Sequence, residues 1–512
     1  MDKTVVIIIT MAVYVLLMAV IGVMNSKSSS GGVASFTVGK RNAGAWISAL
    51  SYGAAYFSAV MFIGYSGRTG WDLWLWASLV GLANAVIGSW LAWRVLAMRT
   101  RDVSHRLHIK SMPQFFFARF GSKKMKIFAA VIIFVFLTPY SASVYNGLTS
   151  VCHVVLGVDE GLCRIIIAAV SAFLLILGGY IATLKADFVQ GIIMFFGVIM
   201  LIVCVVCSDK VRGFAGISEL WEEMKNVPDM RPLGGQNLVK LISSVILTSF
   251  GTWGLPQMIH KYYSIRDEKE VKRGMVISTV FAVIVAGGGY FIGSLSHLFF
   301  GSLGDLATGG TTDYLVPYML LDSNLPVVLL GVILVLLVSA SVSTLSSITL
   351  TACTTLTMDL IREKLKKDIS DKKCAVLIRI LCLVFVALSY VIAITKTPLF
   401  DMMSYSWGII SGSFLAPYLI SLYWKKLSRA GAWAGMLGGF FVAFVPAAMK
   451  IAAMITGDNS PAIFTFLASK GAEFAVIAML VSILLCVVFS LLRPAGDEKQ
   501  KECAERFYTG RV

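Results

Sequence analysis

The densest polar chemistry in this chain lies where its surroundings are most apolar. Residues 339–360, "SASVSTLSSITLTACTTLTMDL", carry hydroxyls at Ser339, Ser341, Ser343, Thr344, Ser346, Ser347, Thr349, Thr351, Thr354, Thr355 and Thr357. Hydroxyls commonly act as glue between membrane helices, worth roughly 0.6 kcal/mol each. Ser343, Ser346 and Ser347 fall at i, i+3 and i+4, which places three oxygens on one helix face. Such a patch suits a hard cation that takes oxygen ligands, provided backbone carbonyls complete its shell. Carbonyls come free at membrane depth where a helix unwinds. Asp187, in "LKADFVQG", has two compatible readings. It is an N-cap at a helix start, or a carboxylate that neutralises a second cation near the oxygen-rich face.

Two stretches supply the unwinding. "SYGAAYFSAVMFIGYSG", 51–67, is small and uncharged, with Gly53 followed by small residues. "SSVILTSFGTWGLPQMIHKYY", 243–263, gathers Gly251, Gly254 and Pro256 mid-span. Proline removes a helix hydrogen bond and clashes with the turn before it. Either stretch alone reads as glycines that let helices pack closely. The matched pair, in the second and seventh spans, runs in opposite directions, as an inverted five-plus-five repeat requires. Paired broken helices point to a binding site at the bilayer midplane.

The elements that carry these residues follow from composition. Hydrophobic residues make up 57% of the 512 positions and charged residues 14%, too little charge for a soluble chain of this length. Runs near the roughly 20 residues a span needs occur at about 4–24, 43–65, 72–93, 127–155, 161–183, 187–207, 237–260, 275–299, 325–358, 374–395, 399–423, 430–453 and 472–493. The expected fold is an all-α polytopic membrane protein of about 13 transmembrane helices. The first run is kept as a true helix, because it lacks a basic n-region and a small-residue cleavage site.

The net charge of +16 is concentrated in alternate loops. The 94–126 loop carries Arg94, Arg99, Arg101, Arg106, Lys110, Arg119, Lys123, Lys124 and Lys126, whereas the loop around Asp305 and Asp313 has no Lys or Arg. This is the positive-inside bias, and it sets the N-terminus outside and the C-terminus in the cytoplasm. The charge reports orientation and contact with anionic lipid, not a nucleic-acid partner. Nine cysteines show no metal spacing; Cys204 and Cys207 read as packing, and Cys152 and Cys163 flank a turn short enough for a disulfide. No nucleotide-binding, hydrolase, zinc-protease or haem motif is present, so nothing indicates an enzyme or an obligate protein partner.

Other polar and aromatic features weigh less. His153 and His297 sit near helix ends. "GWDLWLW", 70–76, reads as an interfacial belt, with Trp74 or Trp76 as further candidates to face the site. Arg68 snorkels or draws anions to the outer mouth. "GAWAGMLGG", 431–439, spaces small residues for close packing.

Taken together, "SYGAAYFSAVMFIG", "GGYIATLKADFVQG", "TWGLPQMIHKYY", "SASVSTLSS…TMDL" and "SLYWKKLSRAGAWAGMLGG" resemble the sodium/solute symporter family, of the inverted-repeat leucine-transporter fold. The resemblance runs over nearly the whole chain and is nearest in motif to the proline, pantothenate and monocarboxylate branch. It implies a first sodium site from the carbonyls of Ala54, Phe57 and Ala340 with the hydroxyls of Ser343 and Thr344. It implies a second sodium, in members that have one, at Asp187, Ser343, Ser346 and Ser347. Solute is implied beside Ala55, Tyr56, Ser58 and Met61 on the second span, Thr138 and Tyr140 on the fourth, Gln257 on the seventh and Ser404 on the eleventh. Proline carriers have an acidic residue where this chain has Tyr56 and a tryptophan at Val60. Sugar carriers have glutamine at Met61 and near Ser404. Both signatures are missing, and the implied cargo is a carboxylate-bearing solute imported with one or two Na+. The alternatives are a sugar or sialic acid symporter, a proton-coupled carrier, or a transporter-like sensor. The implied location is the cell (inner) membrane. The divisions expected are 1–42, a peripheral helix and loop; 43–236 and 237–423, the inverted repeats; and 424–512, two peripheral helices and a short tail.

Overall fold

In a bilayer every backbone N–H and C=O must find its partner within the chain, and an apolar run does so by coiling into a helix. The computed structural model follows that constraint over most of its described residues. It describes residues 3–26, 41–177, 180–307, 310–323, 325–364, 370–395, 397–457, 460–494 and 498–509. Among these, the β pairing is confined to two isolated bridges, Ala43 with Ile265 and Met230 with Leu233. The principal helices are α1 (Lys3–Ser26), α2 (Ala45–Tyr56), α3 (Ser66–Leu73), α4 (Lys123–Leu156), α5 (Glu160–Leu177), α6 (Tyr180–Val206), α7 (Gly235–Val245), α8 (Pro256–Tyr263), α9 (Glu268–Ser294), α10 (Val327–Leu356), α11 (Asp371–Ala393), α12 (Leu399–Tyr423), α13 (Arg429–Thr456), α14 (Gly471–Leu492) and α15 (Glu498–Thr509).

Among the described residues each expected apolar run falls mainly on helix, with 178–179 of the run at 161–183 lying outside them. Among the described residues nine helices are long and apolar enough to cross a membrane, or ten if Gly235–Gly254 and Pro256–Tyr263, bent by 48°, make one broken span. Local chemistry accounts for part of the distance from thirteen. The second run is cut at Phe57 and Ser58, and its remainder joins the third run in one helical stretch, Met61–Arg106. α12 is 25 residues long but rich in serine.

Large apolar side chains lie on the outside: Phe196 is 65% exposed, Val391 62% and Leu484 60%. Surface of that kind demands lipid or another apolar partner. α10 is enclosed by α1, α4 and α6, while α2 packs on α6, α8, α9 and α10. α12, α13 and α14 pack on one another, and α12 also packs on α4 and on the Gly251–Gly254 turn. There the glycine spacing serves close approach: a Cβ on Gly439 would stand 1.9 Å from the Gly412 carbonyl, and one on Gly431 2.0 Å from Ser490 Oγ.

The aromatic run packs on the segments around His297 and Met230 rather than at the helix breaks. Trp71 and Trp74 stack on His297 with ring centroids 4.2 and 3.8 Å away, and Trp76 Nε1 donates to the Met230 carbonyl at 2.8 Å. Arg68 pairs with Asp72 at 3.0 Å. His153 Nδ1 lies 2.8 Å from the Val158 carbonyl, and Cys152 and Cys163 are free thiols.

Candidate functional site

The interruption of the second span is a true break in hydrogen bonding. The last bond of α2 runs from Phe57 N–H to the Gly53 carbonyl at 2.9 Å, and Phe57 is extended at φ −104, ψ 104. The next turn starts from Ser58, whose carbonyl accepts from Met61 N–H at 3.0 Å and whose Oγ accepts from Val60 N–H at 3.2 Å. The carbonyls of Ala54 to Phe57 therefore fall in the gap, beyond the reach of regular helix bonds. Gly53 lets neighbouring helices come this close, since a Cβ there would meet the Phe281 ring at 2.4 Å.

α10 presents its hydroxyls to that gap. Thr344 Oγ1 bonds the Ala340 carbonyl at 3.0 Å and reaches the Ala54 carbonyl at 3.4 Å. Ala54, Ala340 and Thr344 thus converge, with Phe57 at the same break. Ser343, next along, turns its hydroxyl to Asp187 Oδ1 at 2.7 Å; a donating hydroxyl keeps lone pairs for another contact.

Asp187 is completely buried and does not cap a helix. α6 begins at Tyr180, so Asp187 stands about two turns inside it. The good helix formers of "IATLKA" carry the helix past the start expected at Asp187. The carboxylate accepts from Ser51 Oγ at 2.6 Å and Lys261 Nζ at 2.8 Å, besides Ser343. Lys261 Nζ also donates to Ser51 Oγ at 2.9 Å and Ser347 Oγ at 3.0 Å. Both side chains are shut from solvent, at 3% and 1% exposed. Of the set expected around a second cation, Asp187, Ser343 and Ser347 assemble, and a lysine ammonium stands among them. Ser346 is half-exposed, outside the cluster.

Lys261 and Ser51 were not among the expected site residues. The seventh run was bounded at 260, which put Lys261 in a loop. A signal was nonetheless available: an intramembrane lysine needs a carboxylate partner, and Asp187 is a buried acid in another apolar run.

The seventh span bends through a tight turn, Gly251–Gly254, then extended Leu255, and restarts with Pro256 at the head of α8. Gly254 seats this turn against α12, where a Cβ would stand 2.8 Å from Ser411 Cα. Gln257 follows, and both its amide oxygen and nitrogen are buried without a hydrogen-bond partner.

The other expected solute residues are all buried but are not all poised alike. Tyr56 donates to the Thr248 carbonyl at 2.6 Å and stacks on Phe57 at 4.1 Å, a contact that ties the second span to the seventh. Tyr140 Oη has no partner and lies by Ser58 and Thr344. Its ring meets the edge of Trp407 at 5.5 Å, and Trp407 Nε1, which the sequence did not single out, is also unpartnered. Ala55 packs in the core at the break. Met61 turns toward Gly289 of α9. Thr138 bonds the Phe134 carbonyl at 2.9 Å and Ser404 the Phe400 carbonyl at 2.6 Å, so neither hydroxyl projects free.

Known proteins share both the sequence and the architecture. The Sodium:solute symporter family matches residues 36–439. A sodium/proline symporter of Staphylococcus aureus (strain JH9) is 29% identical over 465 residues, covering 85% of this chain and 85% of that protein. The fold is similar to that of a Na+-coupled sialic acid symporter in a substrate-bound outward-open state, with a TM-score of 0.73 and 18% identity over 96% of this chain and 99% of that one. It is also similar to MhsT in complex with L-phenylalanine, with a TM-score of 0.52 and 13% identity over 86% of this chain and 98% of the other. The helical break, the hydroxyl-lined face opposite it and a family match over most of the chain lead to one conclusion: the chain belongs to the sodium:solute symporter family, sodium-coupled membrane transporters rather than enzymes.

Proposed function

We propose that the chain imports a small carboxylate-bearing solute together with sodium by alternating access. The observation that carries this reading is the Thr344 hydroxyl, which spans from the Ala340 carbonyl of α10 to the Ala54 carbonyl at the break of α2. A sodium ion held by the carbonyls of Ala54, Phe57 and Ala340 and the hydroxyls of Ser343 and Thr344 joins the two helices and orders the broken segment. Solute then lies beside Ala55, Tyr56, Ser58 and Met61, with Thr138, Tyr140, Gln257 and Ser404 around it. The neutral donors Tyr140 Oη and Gln257 Nε2, buried without partners, support a carboxylate that needs no intramembrane arginine. The sodium/proline symporter relative supports an amino-acid-like member of that class, beside monocarboxylates and pantothenate-like acids.

The basic loop 94–126 supports a cytoplasmic C-terminus and an external N-terminus in the cell membrane. The paired breaks, one after α2 and one before α8, support inverted repeats over 43–236 and 237–423. Sodium enters from outside, solute closes the outer path, the bundle rocks, and sodium leaves to the cytoplasm, driven by its gradient and the membrane potential.

The test is thermal stabilisation and radiolabelled uptake by purified protein, with and without sodium, across carboxylates, amino acids and sugars. Sodium-dependent stabilisation by a carboxylate is expected. Thr344→Ala should weaken the response to sodium about 10–100-fold, the value of a hydrogen bond or contact to a charge. Stabilisation by neutral sugars alone overturns the solute class, and uptake that follows pH but not sodium overturns the coupling ion. A sialic acid cargo is the second reading, favoured by the architecture shared with that symporter; its acid group meets the same donors.

A further inference from the structure

We infer that Lys261 is a resident cation that fills the second cation position, so that a single sodium ion accompanies each solute. This rests on the sodium-coupled reading above and concerns how many ions that reading admits. The ammonium of Lys261 donates to Asp187 Oδ2, Ser51 Oγ and Ser347 Oγ at 2.8, 2.9 and 3.0 Å. An ammonium has three N–H donors, and all three are met by oxygen. These oxygens are the kind a hard cation takes, and two of them, with Ser343, belong to the set that would otherwise suit a second sodium.

Charge leads to the same count. Asp187 and Lys261 form a buried neutral pair, at 1% and 3% exposed. A sodium ion entering the same oxygens would stand beside the ammonium with one carboxylate to balance two positive charges. Burial makes such an excess costly, because a charge taken from water must be paired. Lys261 cannot simply withdraw into a loop: it sits within α8, whose eight residues are all buried.

The tether also does mechanical work that a free ion would do. Ser51 is on α2, Asp187 on α6, Lys261 on α8, and Ser343 and Ser347 on α10, so one ammonium–carboxylate pair gathers four helices. Two of them, α2 and α8, adjoin the two breaks. Ser343 links this cluster to the Thr344 position, where it stands one residue away and donates to Asp187. The junction therefore stays assembled without drawing a second ion from outside.

The experiment is equilibrium binding of radioactive 22Na+ to the purified full chain without solute, paired with thermal unfolding across sodium concentrations at constant ionic strength. The wild type should bind about one ion per chain, with a Hill coefficient near one. Lys261→Ala, which leaves the carboxylate and hydroxyls in place, should bind about two and show roughly twice the dependence of stability on log sodium, as linkage requires. Lys261→Ala combined with Asp187→Asn, which removes both charges, should return to about one. Two ions on the wild type overturn the inference, as does an unchanged count in a folded Lys261→Ala protein. The wild-type count decides the matter even if a variant does not fold. No sodium on the wild type would sink the sodium-coupled reading and this inference with it, an outcome distinct from two.

Discussion

As proposed, Thr344 and Lys261 act on cations by different means, one through a neutral dipole and the other by replacing the ion. Two unit positive charges about 4 Å apart repel by about 4 kcal/mol at an effective dielectric near 20, roughly a thousandfold in affinity. That magnitude makes coexistence of ammonium and sodium in one shell unfavourable. Away from the membrane interior, Asp313 offers a separate test. Its Oδ1 is shut from water without a partner while Oδ2 accepts the Leu399 N–H at 3.0 Å. Burial raises its pKa from 3.8 to about 7, against the lowering effect of the Leu399 bond, and with a smaller raising effect from Asp401. The folded protein holds a proton there that the unfolded chain releases above about pH 4, so this group's contribution declines as pH rises from about 4 to about 7. Asp313→Asn should flatten the thermal midpoint over that window, whereas an unchanged slope would show that the carboxyl is not the source. Thr344 was legible as part of a hydroxyl pattern with helical spacing. Lys261 was not, because the expected span ended one residue before it and a lysine at a span end ordinarily reaches water.

At the scale of elements, helix contacts are set by where a side chain is absent. Gly293 of α9 faces the start of α3 so closely that a Cβ would lie 2.1 Å from the Ser66 carbonyl. Gly287, six residues earlier on the same helix, has nothing within 4 Å of its would-be Cβ. Gly293→Ala must push backbone against backbone, and a cost at or above the 1–3 kcal/mol typical of overpacking is expected. Gly287→Ala should be neutral or stabilising by up to about 1 kcal/mol, since alanine favours helix. Thermal unfolding of the two variants checks the contrast, and equal loss from both would reject this packing. The breaks themselves were readable, because Gly53 and the Gly251–Pro256 cluster interrupt long apolar runs. Which carbonyls came free was not, since that depends on where the last hydrogen bond of α2 falls. Asp187 was placed at a helix start for a related reason: a polar "LKAD" segment resembles a loop, yet its residues favour helix once the membrane spans on either side are packed.

For the whole molecule, the proposed roles of the breaks, hydroxyl face and buried ion pair together determine how charge moves during transport. Long apolar runs and an alternating pattern of basic loops were visible in the sequence, which is why membrane residence and family were recoverable. The solute was not, because Tyr140, Gln257 and Trp407 acquire meaning from their missing partners, a property of packing rather than of residue order. If Lys261 stays with the protein and one sodium crosses, the charge moved per solute is one plus the charge of the solute. A zwitterion such as an amino acid then carries one positive charge inward, and a potential of 100 mV contributes roughly 2.3 kcal/mol, about fiftyfold in accumulation. A monocarboxylate anion carries none, so its accumulation should be insensitive to voltage. Proteoliposomes clamped at different potassium diffusion potentials, with solute accumulation and sodium entry measured together, separate these cases. Two charges per zwitterion would demand a second transported cation and remove Lys261 from the role assigned to it.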